Sequence, residues 1–249
     1  MSGHSKWASI KHQKGAKDKA RGKLFAKLIR QIEVAAREGG GDLAANATLR
    51  TMVTKAKAAS VPNDTIDRAI KRGTGELEGV TYESITYEGY APGGVAVLVD
   101  VLTDNRNRAG AEVRSVFSRM GGSMAEPGAV SWQFSRRGVV LVPRRFAEDD
   151  VMLAALDAGA DDVVDDGDEW RITCEPGAVE AVREALEAAG IEVTSAESTM
   201  IASTSVPLET AEEARKVLRI MDALEEHDDV QDVYSNFDIP DSILAVVEA

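Results

Sequence analysis

Nine cations, Lys6, Lys11, Lys14, Lys17, Lys19, Arg21, Lys23, Lys27 and Arg30, stand in the first 30 residues against one acid, Asp18. Positive side chains at that density, spaced by Gly, Ser and Ala, suit contacts to phosphate oxygens, which release counterions from a polyanion and so drive association at low salt. Trp7 is the one aromatic among them before Phe25. Its indole suits either stacking on an unpaired base or packing on the helices that follow. Arg68, Lys71 and Arg72 form a second cationic set, where a helix-turn-helix would place its reading helix. With Asn63 used as a cap, few base-reading side chains remain there. Arg106 and Arg108 are an island of cations at a strand-to-helix junction, where free amides attract anions. A capped helix start with surface arginines accounts for that pair as well as an RNA or protein contact does.

Other chemistries find few residues. The turn GYAPGG, residues 89–94, is glycine-rich like a phosphate cradle, but it lacks the Lys-Ser/Thr ending of a P-loop and has no helix behind it. A hairpin turn is the better account, with Tyr90 and Pro92 at its tip. The run Asp161, Asp162, Asp165, Asp166, Asp168 and Glu169 offers the oxygens a hard cation takes. No ligand spacing confirms it, and a solvated turn is simpler. His4, His12 and His227 are scattered, and with the single Cys174 they make no zinc set. No G-x-S-x-G elbow and no supported Cys-His pair supplies a nucleophile. The expectation is a protein that is not an enzyme and uses neither cofactor nor metal.

Charge is segregated along the chain. The first 75 residues hold sixteen Lys and Arg against six Asp and Glu, and the remaining 174 hold thirteen against thirty-six, so +10 and −23 lie behind a net −13. Such segregation marks a polyanionic partner for the basic part, either DNA or ribosomal RNA, and through the latter the ribosome. With 44% hydrophobic residues, the 249-residue chain can bury two or three cores. No apolar run approaches the roughly 18 residues of a membrane span, and no apolar segment follows the N-terminal cations. The lone cysteine agrees with a reducing compartment. A cytoplasmic chain without a membrane partner is expected, and a monomer is the simpler expectation for its oligomeric state.

The elements that must position these residues follow from periodicity. From Asp18 on, Leu24, Phe25, Leu28, Ile29, Ile32 and Ala36 share one helical face, with Lys19, Lys23, Lys27, Arg30 and Arg37 opposite. Gly39–Gly41 should stop that helix, Asp42 should cap a second through Ala56, and Asn63 or Asp64 a third that ends at Gly73–Gly75. Beyond Gly79 a strand, the GYAPGG turn and the run VAVLVDVL predict a hairpin, followed by a helix to Met120 and a strand over 130–134. Residues 138–200 then read as strand, helix, two strands, helix and strand (191–195), the ferredoxin-like order. Segments near 201–206, 210–226 and 230–234 give a further β-α-β that completes the earlier one. The predicted fold is α+β and multidomain: a basic three-helix domain over 1–78, a discontinuous ferredoxin-like sandwich over 79–136 plus 201–249, and a second sandwich, 137–200, inserted into it.

Five blocks in order, SGHSKWASIKH (2–12), IDRAIKRGTG (66–75), YEGYAPGGV (87–95), LTDNRNR (102–108) and DDVQDVYSNF (228–237), resemble the YebC family over nearly the whole chain. The resemblance implies a helical N-terminal domain, two α/β domains and no enzymatic activity. Ala91 and Ala125 depart from the family's usual glycines, which puts local loop geometry in question. The family includes bacterial proteins described as probable transcriptional regulators, which implies DNA binding, and mitochondrial translational activators, which implies action on the ribosome at stretches such as consecutive prolines. Both need phosphate contacts. A small-molecule sensor, with a ligand between the sandwiches, is a third possibility and would need an apolar pocket there.

Overall fold

The structure, a computed structural model, describes residues 17–248. Helix α1 (Lys17–Gly39) buries Leu28, Ile32, Ala35 and Ala36 against α2 (Ala47–Ala58) and α3 (Asn63–Thr74) to form a helical head. Leu24, expected on that apolar face, is exposed, because its turn reaches the core through Phe25 and Leu28. Asn46, not Asp42, caps α2. Its Oδ1 accepts from Leu49 N–H at 3.0 Å while its Nδ2 donates to the carbonyls of Ala35 (2.8 Å) and Gly40 (2.9 Å). An amide can accept and donate at once, which a carboxylate does not. Asn46 thus ties the end of α1 to the start of α2, and Asp42 only closes a small turn by accepting from Ala44 N–H. Helix α3 starts directly after Pro62 without a side-chain cap among the described residues, so neither Asn63 nor Asp64 takes the expected role. Gly73 faces α1 so closely that a Cβ there would overlap the Glu33 carbonyl and the Ala36 methyl.

The body holds two four-stranded antiparallel sheets. In the first, β1 (Glu83–Ala91) and β2 (Val95–Thr103) form a hairpin in register Ala91 to Val95 and Glu83 to Thr103. Helix α4 (Arg106–Arg119) leads to the short β3 (Ser123–Ala125), which pairs with β1. Strand β2 is buried on both faces, hence its apolar run, broken only at Asp100, whose carboxylate accepts from Thr86 Oγ1 at 2.7 Å. Val95, Val97, Val99 and Val101 meet the helices, while Ala96 and Leu98 meet Val130 and Phe134. The hairpin turn also accounts for Ala91. The left-handed conformations fall at Gly93 (φ +81°) and Gly94 (φ +78°), whereas Ala91 is extended at φ −82°, ψ 170°, where any residue fits.

The second sheet is built from β4 (Phe134–Pro143), α5 (Glu148–Asp157), β5 (Ala160–Asp165), β6 (Glu169–Cys174), α6 (Val179–Ala188) and β7 (Ser195–Ala202). Its spatial order, β5-β6-β4-β7, is that of a ferredoxin-like sandwich. The chain then passes through β8 (Val206–Pro207) and α7 (Ala211–Glu225) to β9 (Val230–Ser235), which returns to the first sheet beside β2. The order there is β3-β1-β2-β9, again ferredoxin-like, but the strand between β2 and β3 is supplied by β1, ahead of the β-α-β unit. Strand β10 (Phe237–Asp238) pairs parallel with β8, and α8 (Asp241–Glu248) packs on the same core. No described helix is long and apolar enough to cross a membrane.

Three expected strands are displaced. Residues 130–133 are not a strand, because the Glu88 carboxylate accepts from the N–H groups of Gly128, Val130 and Ser131 at 2.7, 2.7 and 2.9 Å and removes them from any ladder. Burial alone would raise the pKa of Glu88, but these donors outweigh it and hold the carboxyl below its usual range. The final strand of the second sheet runs over Ser195–Ala202 and not 191–195, since Ile191 is taken into the core just after α6. Ile201 and Ala202 stay in that strand, opposite Ser135 and Phe134, so 201–206 adds nothing to the first sheet.

Gly73→Ala should destabilise the head by about 1–3 kcal/mol through overpacking. An unchanged urea midpoint for head unfolding would show that α3 does not sit this close to α1.

Candidate nucleic-acid interface

Lys6, Trp7, Lys11 and Lys14 lie outside the described residues, and Lys17, Lys19 and Arg21 belong to the first turns of α1. Lys23, Lys27 and Arg30 follow at helical spacing on one face, and that face meets the body, not solvent. Lys23 Nζ donates to the Glu226 carbonyl and stands 3.9 Å from the Asp228 carboxylate. Lys27 Nζ donates to the Glu225 carbonyl at 3.3 Å, and Arg30 Nη1 to the Asp228 carbonyl at 2.7 Å. The Arg30 guanidinium also lies 5.8 Å from the Tyr82 ring centroid. These carbonyls end α7 and begin the turn into β9, where the helix dipole adds negative potential.

Asp229 is the centre of this contact. Its Oδ1 accepts from Arg30 at 2.9 Å, and its Oδ2 accepts from Arg108 Nη2 at 2.8 Å and Thr103 Oγ1 at 2.9 Å. The side chain is 6% exposed. Burial alone would raise its pKa. The hydrogen bonds from Arg108 and Thr103 and the charges of Arg30 and Arg108 outweigh that effect and leave the carboxyl below its usual range. Arg108 also reaches Asp104 at 2.8 Å. His227 Nδ1 accepts from Asp229 N–H at 3.1 Å, which leaves the proton on Nε2, donated to Glu112 at 2.7 Å.

Five residues proposed for phosphate from the sequence pattern therefore have partners within the molecule. Lys23, Arg30, Arg108 and Arg72 meet carboxylates, the last the buried one of Glu33, and Lys27 donates to a backbone carbonyl. Arg68 and Lys71 remain exposed on α3, beside the equally exposed Asp64 and Asp67, and Arg106 is exposed at the start of α4. The pattern passed over two residues. Arg114 lies two turns after Arg106 on the same helix, and an i, i+8 search for cations would have found it. Trp132 is 72% exposed, with its indole N–H donating to Ala129 O at 3.1 Å; in a strand over 130–134 it would share the face of Val130 and Phe134, which gave no sign of this. In the acidic run, Asp165 pairs with Arg144 at 3.0 Å and Asp166 with Arg171 at 3.4 Å. Among the described residues no group of three or more His, Cys, Asp or Glu side chains is placed to hold a metal ion.

Family models match both parts of the chain: the TACO1/YebC protein N-terminal domain over residues 5–76, and the TACO1/YebC second and third domain over residues 82–237. The chain belongs to the TACO1/YebC family. Among TACO1/YebC relatives, the probable transcriptional regulatory protein DIP1378 of Corynebacterium diphtheriae is 59% identical over the full length of both chains. A probable transcriptional regulatory protein of Halothermothrix orenii is 55% identical over 98% of each. A solved structure, the conserved hypothetical protein Aq1575 from Aquifex aeolicus, superposes with a TM-score of 0.79 at 46% identity, covering 91% of this chain and 94% of that one. The multidomain α+β arrangement is therefore shared with that solved structure.

Asp229→Ala should cost about 2 kcal/mol, discounted because Arg108 is half in solvent, and should loosen the head from the body. Faster hydrogen exchange in α1 around Lys23–Arg30 would report the loosening. Because the folded pKa of Asp229 is depressed, its contribution is full above the unfolded value of about 3.9 and is lost as pH falls through the folded one. Acid should therefore weaken the head–body contact of the wild type more than that of the variant; equal acid sensitivity would remove Asp229 from the clamp.

Proposed function

We propose that the protein is a non-enzymatic, nucleic-acid-binding regulator of gene expression that engages DNA through its helical head. The observation that carries this reading is the +10 charge of the first 75 residues. The cations matched by the body sit on the single face of α1 that carries Lys23, Lys27 and Arg30. The earlier Lys6, Lys11, Lys14, Lys17, Lys19 and Arg21 precede that contact, with Trp7 among them. The curated relatives support the reading, each bearing the name of a probable transcriptional regulatory protein. Arg68 and Lys71 extend the cationic surface onto α3. With Asp64 and Asp67 beside them, that helix suits positioning on phosphates better than reading of bases.

A second reading, action on the ribosome through ribosomal RNA, is favoured by the clamp itself. A head fixed against a body of charge −23 brings strong repulsion to a long duplex. The same body is tolerated in a cleft lined partly by basic proteins. Arg106 then reaches RNA from the body while the arm lies along the strand.

Six phosphate contacts by the arm and first-turn cations give a log–log salt slope of roughly −5 on duplex DNA, and Lys11→Ala/Lys14→Ala should make it shallower by about 2. An unchanged slope would take the arm out of the interface. In a sucrose gradient of lysate, DNase-sensitive retention on chromosomal material is the expected result for DNA. Cosedimentation with ribosomes that survives DNase would replace that reading with the second.

A further inference from the structure

Beside α4 the body opens a groove of about 620 Å³ lined by Tyr87, Arg106, Asn107, Arg114, Ser115 and Met124. Arg106 and Arg114 stand at its ends, about 12 Å apart along the helix axis. Between them Gly110 keeps the wall low: a Cβ there would come within 3.0 Å of Tyr87 Oη. The ring of Tyr87 is held in place because its hydroxyl donates to the Arg106 carbonyl at 3.2 Å.

Six other arginines of the body, Arg108, Arg137, Arg144, Arg145, Arg171 and Arg183, each pair with a carboxylate. Arg119, Arg215 and Arg219 donate to backbone carbonyls, and Arg136 acts on the charge of Asp100. Among the described residues neither Arg106 nor Arg114 has a carboxylate within 4.0 Å or a hydrogen-bond acceptor for its guanidinium, although acids outnumber bases there thirty-six to thirteen. Two unneutralised arginines that share a groove within so acidic a surface have their charge complement in a ligand.

We propose that this groove binds a short single-stranded RNA segment, with successive phosphates on Arg106 and Arg114. The groove lies on a body in which acids outnumber bases thirty-six to thirteen, so a single strand, with fewer phosphates than a duplex, meets less repulsion there. Arg forks match phosphate oxygens, and the aromatic ring of Tyr87 and the thioether of Met124 offer a base an apolar floor. Asn107 and Ser115 supply groups that hydrogen-bond a ribose 2′-hydroxyl, which DNA lacks. The site lies on the body and extends the nucleic-acid reading of the head, on which it rests.

Fluorescence anisotropy of the full chain with a labelled oligouridylate of about 12 nucleotides tests it. Arg106→Gln/Arg114→Gln should lower affinity about tenfold at low salt and make the salt slope shallower by about 1.4, two single-strand phosphate contacts. Ser115→Glu, an exposed site on the same wall, should weaken binding in the same direction, so a folding defect in the double variant does not decide the matter. Circular dichroism and the urea midpoint confirm that each variant is folded. Wild-type affinity and slope in both variants would overturn the groove while leaving the head's role intact. Loss of binding confined to Arg68→Gln/Lys71→Gln would have the same effect. No binding of RNA or DNA by the wild type would overturn both. Equal affinity for the deoxy oligomer, or equal displacement by an Asp/Glu-rich peptide of matched charge, would overturn RNA as the occupant.

Discussion

A single carboxylate fixes how the head of this molecule meets its body. Asp229 receives Arg30 from α1, Arg108 from α4 and the hydroxyl of Thr103 at the end of β2. The basic helix and the β2–α4 junction therefore close on one buried acid that is distant in sequence from both, and each donor is a group whose partner would be costly to leave unpaired. Lys23 and Lys27 extend the contact along the end of α7, where carbonyls without helical partners need donors and the dipole favours cations. The basic helix is thus both a candidate polyanion surface and the structural tie between head and body.

The body gives that tie a stiff base. Strand β2 is covered on both faces, with α4 and α7 on one side and a smaller cluster of Val130, Phe134 and Tyr234 on the other. That second cluster joins the two sheets. Asn236 strengthens the joint by accepting from Ala96 N–H at 2.8 Å while donating to Gln133 Oε1 at 3.1 Å. Close approaches at Gly89, where a Cβ would strike the Phe117 ring, and at Gly122, where it would strike the Tyr90 carbonyl and Ile220, let α4 lie low on the sheet. The exposed side of α4, with Arg106 and Arg114, is therefore held by the same packing that holds Arg108 toward Asp229.

Much of this architecture was legible in the chain. The period of 3.6 in α1 and α7, the apolar run of β2 and the strand-helix-strand order of 138–200 are local patterns, and they reported helices, a buried strand and ferredoxin-like order. Failures came where two local solutions were equally good. Asp42 and Asn46 both cap helices, and the need to donate as well as accept chose Asn46. Residues 130–134 look like a strand, yet their amides belong to Glu88, 42 residues away from Val130.

The site divides in the same way. The sequence by itself determined the segregation of charge, the α+β class and the cations offered to a polyanion, because composition and periodicity are properties of the local chain. Which of those cations remain available was decided only by tertiary structure. Arg30 and Asp229 are 199 residues apart, and only folding brings them to 2.9 Å. No local pattern marks the polar face of α1 as a docking face, since a helix presents the same charges to a phosphate and to a carboxylate.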